Sequence, residues 1–132
     1  MAFFKKESTM NDFLAYIPMM TGGSYGRAET PTKAVRNAVE CFVSDWGSIF
    51  DVFDKKTSVH VANVKGHDKI NFGPNKGIWT VLENGEDHVF DFATITVHVP
   101  ALTGKPDTRH KKRYQNKIAK VVETAVENNP VM

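Results

Sequence analysis

Between residues 105 and 120 the chain carries Lys105, Arg109, Lys111, Lys112, Arg113, Lys117 and Lys120 against the single acid Asp107. The stretch opens the last predicted helix, so its charge opposes the helix dipole. A helix N-terminus carries about half a positive charge, and each cation in the first turns forfeits roughly 0.3–1 kcal/mol. Free N–H groups, the dipole and clustered cations together form an arrangement that binds phosphate or another anion. Arg109, Lys111, Lys112, Arg113, Lys117 and Lys120 are therefore the candidate nucleic-acid or anion-binding residues. Such a surface grips a nucleic-acid backbone with little base specificity, because no reader helix, zinc finger or ribonucleoprotein motif accompanies it. Tyr25, Trp79, Phe90 and Phe92 are the rings that would add base stacking if exposed. The competing reading is a solvated charged surface, as most surface lysines and arginines are.

Other chemistries find less support. His60, His67, His88, His98 and His110, with Asp68, Asp87 and Asp91, are of metal-ligand type, but none falls in a His-Glu-x-x-His or paired-cysteine spacing. No metal site is expected. The segments Ser58-Val59-His60-Val61 and Thr96-Val97-His98-Val99 each set a histidine beside a hydroxyl residue, a pairing that suits acid–base cleavage of a phosphodiester. Two-histidine phosphoesterases place Ser or Thr two positions after each histidine, where this chain has Ala62 and Pro100. Cys41 has no identifiable base, no Gly-x-Ser-x-Gly elbow exists, and Asp87 with Asp91 reads as the solvated edge of a hairpin. Gly22-Gly23-Ser24 lacks the Gly-Lys-Ser/Thr ending of a nucleotide-binding loop. No catalytic residue and no cofactor are expected.

The elements that must position the cations follow from composition and period. At 132 residues, with 41% hydrophobic and 24% charged residues, the chain is of one-domain size and can bury a core without metals or disulfides. Its net charge of +2 is small, so the basic stretch is a local patch and not a global field. The lone Cys41 rules out an internal disulfide and reads as a quiet apolar thiol on a helix. Met1-Ala2-Phe3-Phe4-Lys5-Lys6 lacks a signal-peptide apolar run, and no stretch approaches the roughly 18–20 apolar residues of a membrane span. A soluble, cytoplasmic protein, or one within a viral particle, is expected, with no membrane partner.

Residues 1–28 read as an N-terminal arm: Ser8 caps a short helix through Met10, Phe13, Leu14 and Ile17, Pro18 ends it, and residues 21–27 form a mobile loop. Residues 29–132 read as a single α+β domain. Thr30 is a good N-cap with Pro31 at the first helical position, Val35, Ala38, Val39, Phe42, Val43 and Trp46 recur on one stripe, and Gly47 ends the helix. Lys33 and Arg36 lie early in it and Glu40 and Asp45 late, the same inverted polarity as the last helix. Residues 49–53, 58–64, 69–72, 77–83 and 87–99 are rich in β-branched and aromatic residues and read as strands.

Asn84-Gly85 predicts a two-residue type I′ turn that pairs Trp79 with Phe90, Val81 with His88 and Ile78 with Asp91. Along 87–99 the apolar face changes near Phe92, which calls for a bulge or bend; otherwise Trp79, Phe90 and Phe92 form an open platform. The last helix runs over 108–127 with Tyr114, Ile118, Val121, Val122 and Ala125 inward and Arg109, Lys112, Arg113 and Lys120 toward solvent.

The fold expected is α+β: an antiparallel sheet of four to five strands packed by an N-terminal-half helix and a C-terminal helix, with an N-terminal arm. The leading functional expectation is a non-catalytic nucleic-acid-binding protein that contacts phosphates through the basic helix start. A small structural or assembly subunit of a viral or phage particle is the alternative, forming a homo-oligomer through the arm or the sheet face. A third class is an inhibitor or regulator that binds an acidic protein partner.

Overall fold

Alternation of apolar and polar side chains builds one half of the main sheet. In β3 (Lys55–Asn63) and β7 (Phe92–Val99) the inward residues are Thr57, Val59 and Val61 and, opposite, Ile95, Val97 and Val99, all buried. These strands pair antiparallel with Val59 opposite Ile95 and His60 opposite Thr94. The structure, a computed structural model, describes residues 11–19, 22–47, 55–73, 76–99 and 112–129. A hairpin of β1 (Phe13–Met19) and β2 (Gly22–Ala28) completes this sheet in the order β2-β1-β3-β7, every neighbour antiparallel.

Two helices cover one face. Helix α1 (Pro31–Gly47) starts as expected: the Thr30 hydroxyl accepts the Lys33 N–H at 3.2 Å and the Thr30 carbonyl accepts the Ala34 N–H at 3.0 Å. It buries Ala34, Val35, Ala38, Val39, Phe42 and Val43. Gly26 lets β2 lie against the helix backbone, since a Cβ there would stand 2.4 Å from the Ala38 nitrogen and 2.5 Å from the Ala34 carbonyl oxygen. Helix α2 (Lys112–Asn128) buries Tyr114, Ile118, Val122 and Ala125 in the same core, which Phe13, Ala15 and Ile17 of β1 share.

A second, three-stranded sheet of β4 (Asn71–Gly73), β5 (Gly77–Val81) and β6 (Asp87–Val89) forms a separate apolar cluster with the opposite face of the main sheet. Leu14 and Ala62 from the main sheet meet Val64, Ile78 and Phe90 there, with Ile70 and Phe72 at the margin. The α+β architecture, the antiparallel pairing and the two helices agree with the sequence reading.

Three local expectations are corrected. Among the described residues, the short helix expected from the Ser8 cap through Ile17 and the loop expected over 21–27 are instead β1 and β2, and β1 is an interior strand. Both faces of β1 are covered, so its apolar residues run almost without a break and period alone does not separate strand from short helix. Pro18 is tolerated because β1 pairs with β3 only as far as Tyr16.

The β5–β6 register differs by one: Trp79 faces Val89, Thr80 faces His88 and Val81 faces Asp87. The Gly85 N–H bonds the Leu82 carbonyl at 2.9 Å and the Leu82 N–H bonds Glu86 at 2.6 Å, with Gly85 at φ 85° and Asn84 not left-handed. This is a three-residue loop closed by a left-handed glycine, in place of the two-residue turn. The Asn84 carboxamide oxygen accepts the Glu86 N–H at 3.0 Å and fixes it.

The third correction concerns the long strand, which does bend, but as a change of sheet: β6 ends at Val89 and β7 begins at Phe92, with Phe90 turned into the second cluster. The expected strand over 49–53, and residues 1–10, lie outside the described residues, as does the expected helix start at 108.

Candidate functional site

Helix α2 forms because residues 112–128 combine good helix formers with an apolar stripe at positions 114, 118, 122 and 125. Burying that stripe turns Lys112, Arg113, Lys117 and Lys120 outward, and all four are exposed. Arg109 and Lys111 lie outside the described residues. Lys112 and Lys120 are eight residues apart, about 12 Å along the axis. Among the described residues none of the four makes an ion pair. The exposed acids of the helix, Glu123 and Glu127, come only after this row. No acid stands in the first turn and no base in the last.

Helix α1 shares this inverted polarity, yet its cations are compensated: Lys33 pairs with Glu29 at 3.6 Å and Arg36 with Glu40 at 3.2 Å.

The four candidate stacking rings are dispersed. Phe90 is 4% exposed in the second cluster, edge-on to His88 at 4.7 Å and to His67 at 5.5 Å between ring centres. Trp79 is half-buried beneath Lys76, whose ammonium stands 4.4 Å from the ring centre and also pairs with Asp87. Tyr25 and Phe92 are exposed, on β2 and β7, the two outer strands of the main sheet. Both project from the face opposite the helices. Tyr25 lies opposite Tyr16, and Phe72 from β4 stacks on Tyr16 at 4.2 Å and on Tyr25 at 5.8 Å. Phe92 meets His60 edge-on at 5.1 Å. The cations of α2 and the exposed rings therefore sit on opposite sides of the sheet.

His60 and His98 do share the outer face, but His60 faces Thr94 and His98 faces Lys56. Four residues of strand separate those rungs, about 13 Å, which is too far for acid and base to serve one phosphate. The His60 Nδ1 lies 2.8 Å from the Thr94 hydroxyl, and burial holds the imidazole below its ordinary pKa. Among the described residues no group of three or more His, Cys, Asp or Glu side chains is placed to hold a metal ion.

Sequence reasoning missed one polar cluster. Arg27 donates to both oxygens of Asp12, at 2.9 Å through Nε, and to the His67 carbonyl at 2.6 Å, while the Gly66 N–H donates to Asp12 at 2.8 Å. Hydrogen bonds from Arg27, reinforced by Gly66, hold the Asp12 carboxyl below its usual range despite partial burial. The cluster ties the turn after β3 to the first hairpin. It borders an open cleft of about 560 Å³ lined by Asn11, Asp12, Arg27, Ala28, Glu29, Gly66 and Asp68. Three acids and a cation already held bidentate make this cleft a poor host for phosphate. Only a hairpin reading of residues 13–28, which puts Tyr16 beside Tyr25, would have exposed these contacts.

These features define an α+β protein with two helices on one face of an antiparallel sheet and, on the second helix, a basic row that makes no ion pair among the described residues. Comparison with family models, with curated proteins and with solved structures finds no match for this chain. No helix among the described residues is long and apolar enough to cross a membrane.

Proposed function

We propose that the chain is a non-catalytic nucleic-acid-binding protein whose α2 contacts phosphates through Lys112, Arg113, Lys117 and Lys120. Arg109 and Lys111, which precede α2 in the chain, belong to the same proposal. The observation that supports it is the contrast in compensation: the cations of α1 have acidic partners and those of α2 have none among the described residues. Unpaired cations near a helix N-terminus lower stability, and a polyanion supplies the missing counter-charge. His60 and His98 stand four rungs apart on β3 and β7 and do not form an acid–base pair across the sheet.

The test changes Lys112, Arg113, Lys117 and Lys120 together to Gln. Loss of four ion releases flattens the slope of log affinity against log salt by roughly 3–4 units for duplex DNA. Equal affinity of parent and variant at about 50 mM salt, or no binding by the parent, rejects the proposal and favours the assembly-subunit reading.

A further inference from the structure

We infer that the nucleic acid held by α2 is double-stranded; the inference rests on the phosphate-contact reading above. Proteins that hold single strands combine a cationic groove with aromatic rings on which successive bases stack. Among the described residues no ring shares the cationic side. Tyr114, the sole aromatic of α2, is 5% exposed within the core. Phe90 is buried, Lys76 covers Trp79, and Tyr25 and Phe92 project from the opposite face of the sheet. A single strand lying along α2 would leave its bases unstacked against a polar helix, whereas a duplex keeps its bases stacked within itself and offers phosphates alone.

Shape agrees with charge. The exposed side of a surface helix is convex, which suits a groove more than enclosure of a strand. Lys112 and Arg113 mark one end of the row and Lys120 the other, about 12 Å apart along the axis. Cations spread along such a span can reach the phosphates that flank the roughly 12 Å wide major groove of B-DNA. Exposed Asn116 sits midway between them, where a carboxamide can reach base edges. Glu123 and Glu127 end the footprint, since a phosphate beyond Lys120 would meet like charge.

The experiment titrates the full chain against two labelled probes of equal length, a mixed-sequence duplex of about 20 base pairs and an oligothymidylate of about 20 nucleotides, over 50–200 mM salt. The expected result is duplex binding at least about tenfold tighter than oligothymidylate, unaffected by Tyr25→Ala with Phe92→Leu. Oligothymidylate bound as tightly as duplex, or weakened about tenfold by those two substitutions, overturns the duplex inference. The phosphate reading survives that outcome if the four-cation variant still loses binding. Binding of neither probe by the parent overturns both. The comparison of probes uses the parent alone, so it decides the matter even if the aromatic variant fails to fold.

Discussion

Helices α1 and α2 cover the same face of the same sheet and are the same length, 17 residues, yet they solve the same electrostatic problem differently. Each lacks an acid in its first turn and a base in its last. In α1 the cations are balanced inside the chain, by Glu29 for Lys33 and Glu40 for Arg36. In α2 the acids Glu123 and Glu127 stand too late along the helix to neutralise Lys112 and Arg113. Their seating differs too. Helix α1 approaches the backbone of β2 over Gly26 and presents small Ala34 and Ala38 there, while α2 rests on the larger side chains Tyr114, Ile118 and Val122. The first helix is thus fixed from within on both counts. The second is anchored by ordinary side-chain packing, and its cations make no ion pair among the described residues.

The largest expected effect tests that seating. Gly26→Val places side-chain atoms within the space of the α1 backbone, where no flexible side-chain end can move aside. The cost exceeds the roughly 1–3 kcal/mol of ordinary overpacking and takes most of a stability of about 5–15 kcal/mol. Circular dichroism should show loss of a cooperative melt near the parental temperature. A variant that melts as the parent does would mean that α1 is not seated on β2 as described.

The corresponding change under α2, Ile118→Ala, removes a fully buried side chain but leaves a cavity and not a clash. About 2–5 kcal/mol is expected, read as a lower denaturant midpoint with an unchanged slope. Nucleic-acid affinity of the folded fraction should hold, because the cations do not touch the cavity. A loss below about 1 kcal/mol would place Ile118 outside the core and undo the assignment of the outward side.

How much of this contrast the sequence displays depends on how local each cause is. The α1 start was legible because Thr30-Pro31 satisfies its own first turn, and the stripe from Val35 to Val43 repeats within one element. The cations of α2 were equally legible, since exposure follows from the wheel once Tyr114, Ile118 and Val122 are inward. The hairpin at Asn84-Gly85 was visible but its register was not. Two- and three-residue loops use the same residue types, and whether Asn84 or only Gly85 turns left-handed decides between them.

The first hairpin was hidden, because β1 is covered on both faces and loses its alternation. Separation of the rings from the cations was hidden for another reason. Which way Tyr25 or Phe92 points depends on pairings such as Tyr16 with His60, between residues far apart in the chain. The change of face near Phe92 was a real signal of this, but its meaning as a switch between two sheets needed β3 beside β7.

A smaller effect sharpens the electrostatic half of the comparison. With Lys112, Arg113, Lys117 and Lys120 all changed to Gln, nucleic-acid binding should fall while stability rises. Lys112 and Arg113 lie in the first turn and each opposes the dipole by roughly 0.3–1 kcal/mol, so a gain of about 0.5–2 kcal/mol in urea denaturation is expected. Opposite signs for binding and folding identify residues kept for a partner. A loss of stability would instead show that these cations have compensation within the chain and would erase the difference between the helices.

The smallest effect is expected where the charges are already balanced. Lys33→Gln with Arg36→Gln removes two exposed ion pairs worth about 0.2–0.5 kcal/mol each and relieves a dipole penalty of similar size at Lys33. The two changes oppose, so the net shift should stay within about 0.5 kcal/mol of zero. The slope of nucleic-acid affinity with salt should match that of the parent, since Glu29 and Glu40 already neutralise these side chains and no counterions are released from them on binding. Raising the salt should narrow any difference between the two proteins, because it screens both surface pairs of the parent. A slope flattened by about 2 units would show that phosphates displace the acids of α1. The binding surface would then run across both helices, and the contrast drawn between them would fail at its electrostatic step while the contrast in seating stood.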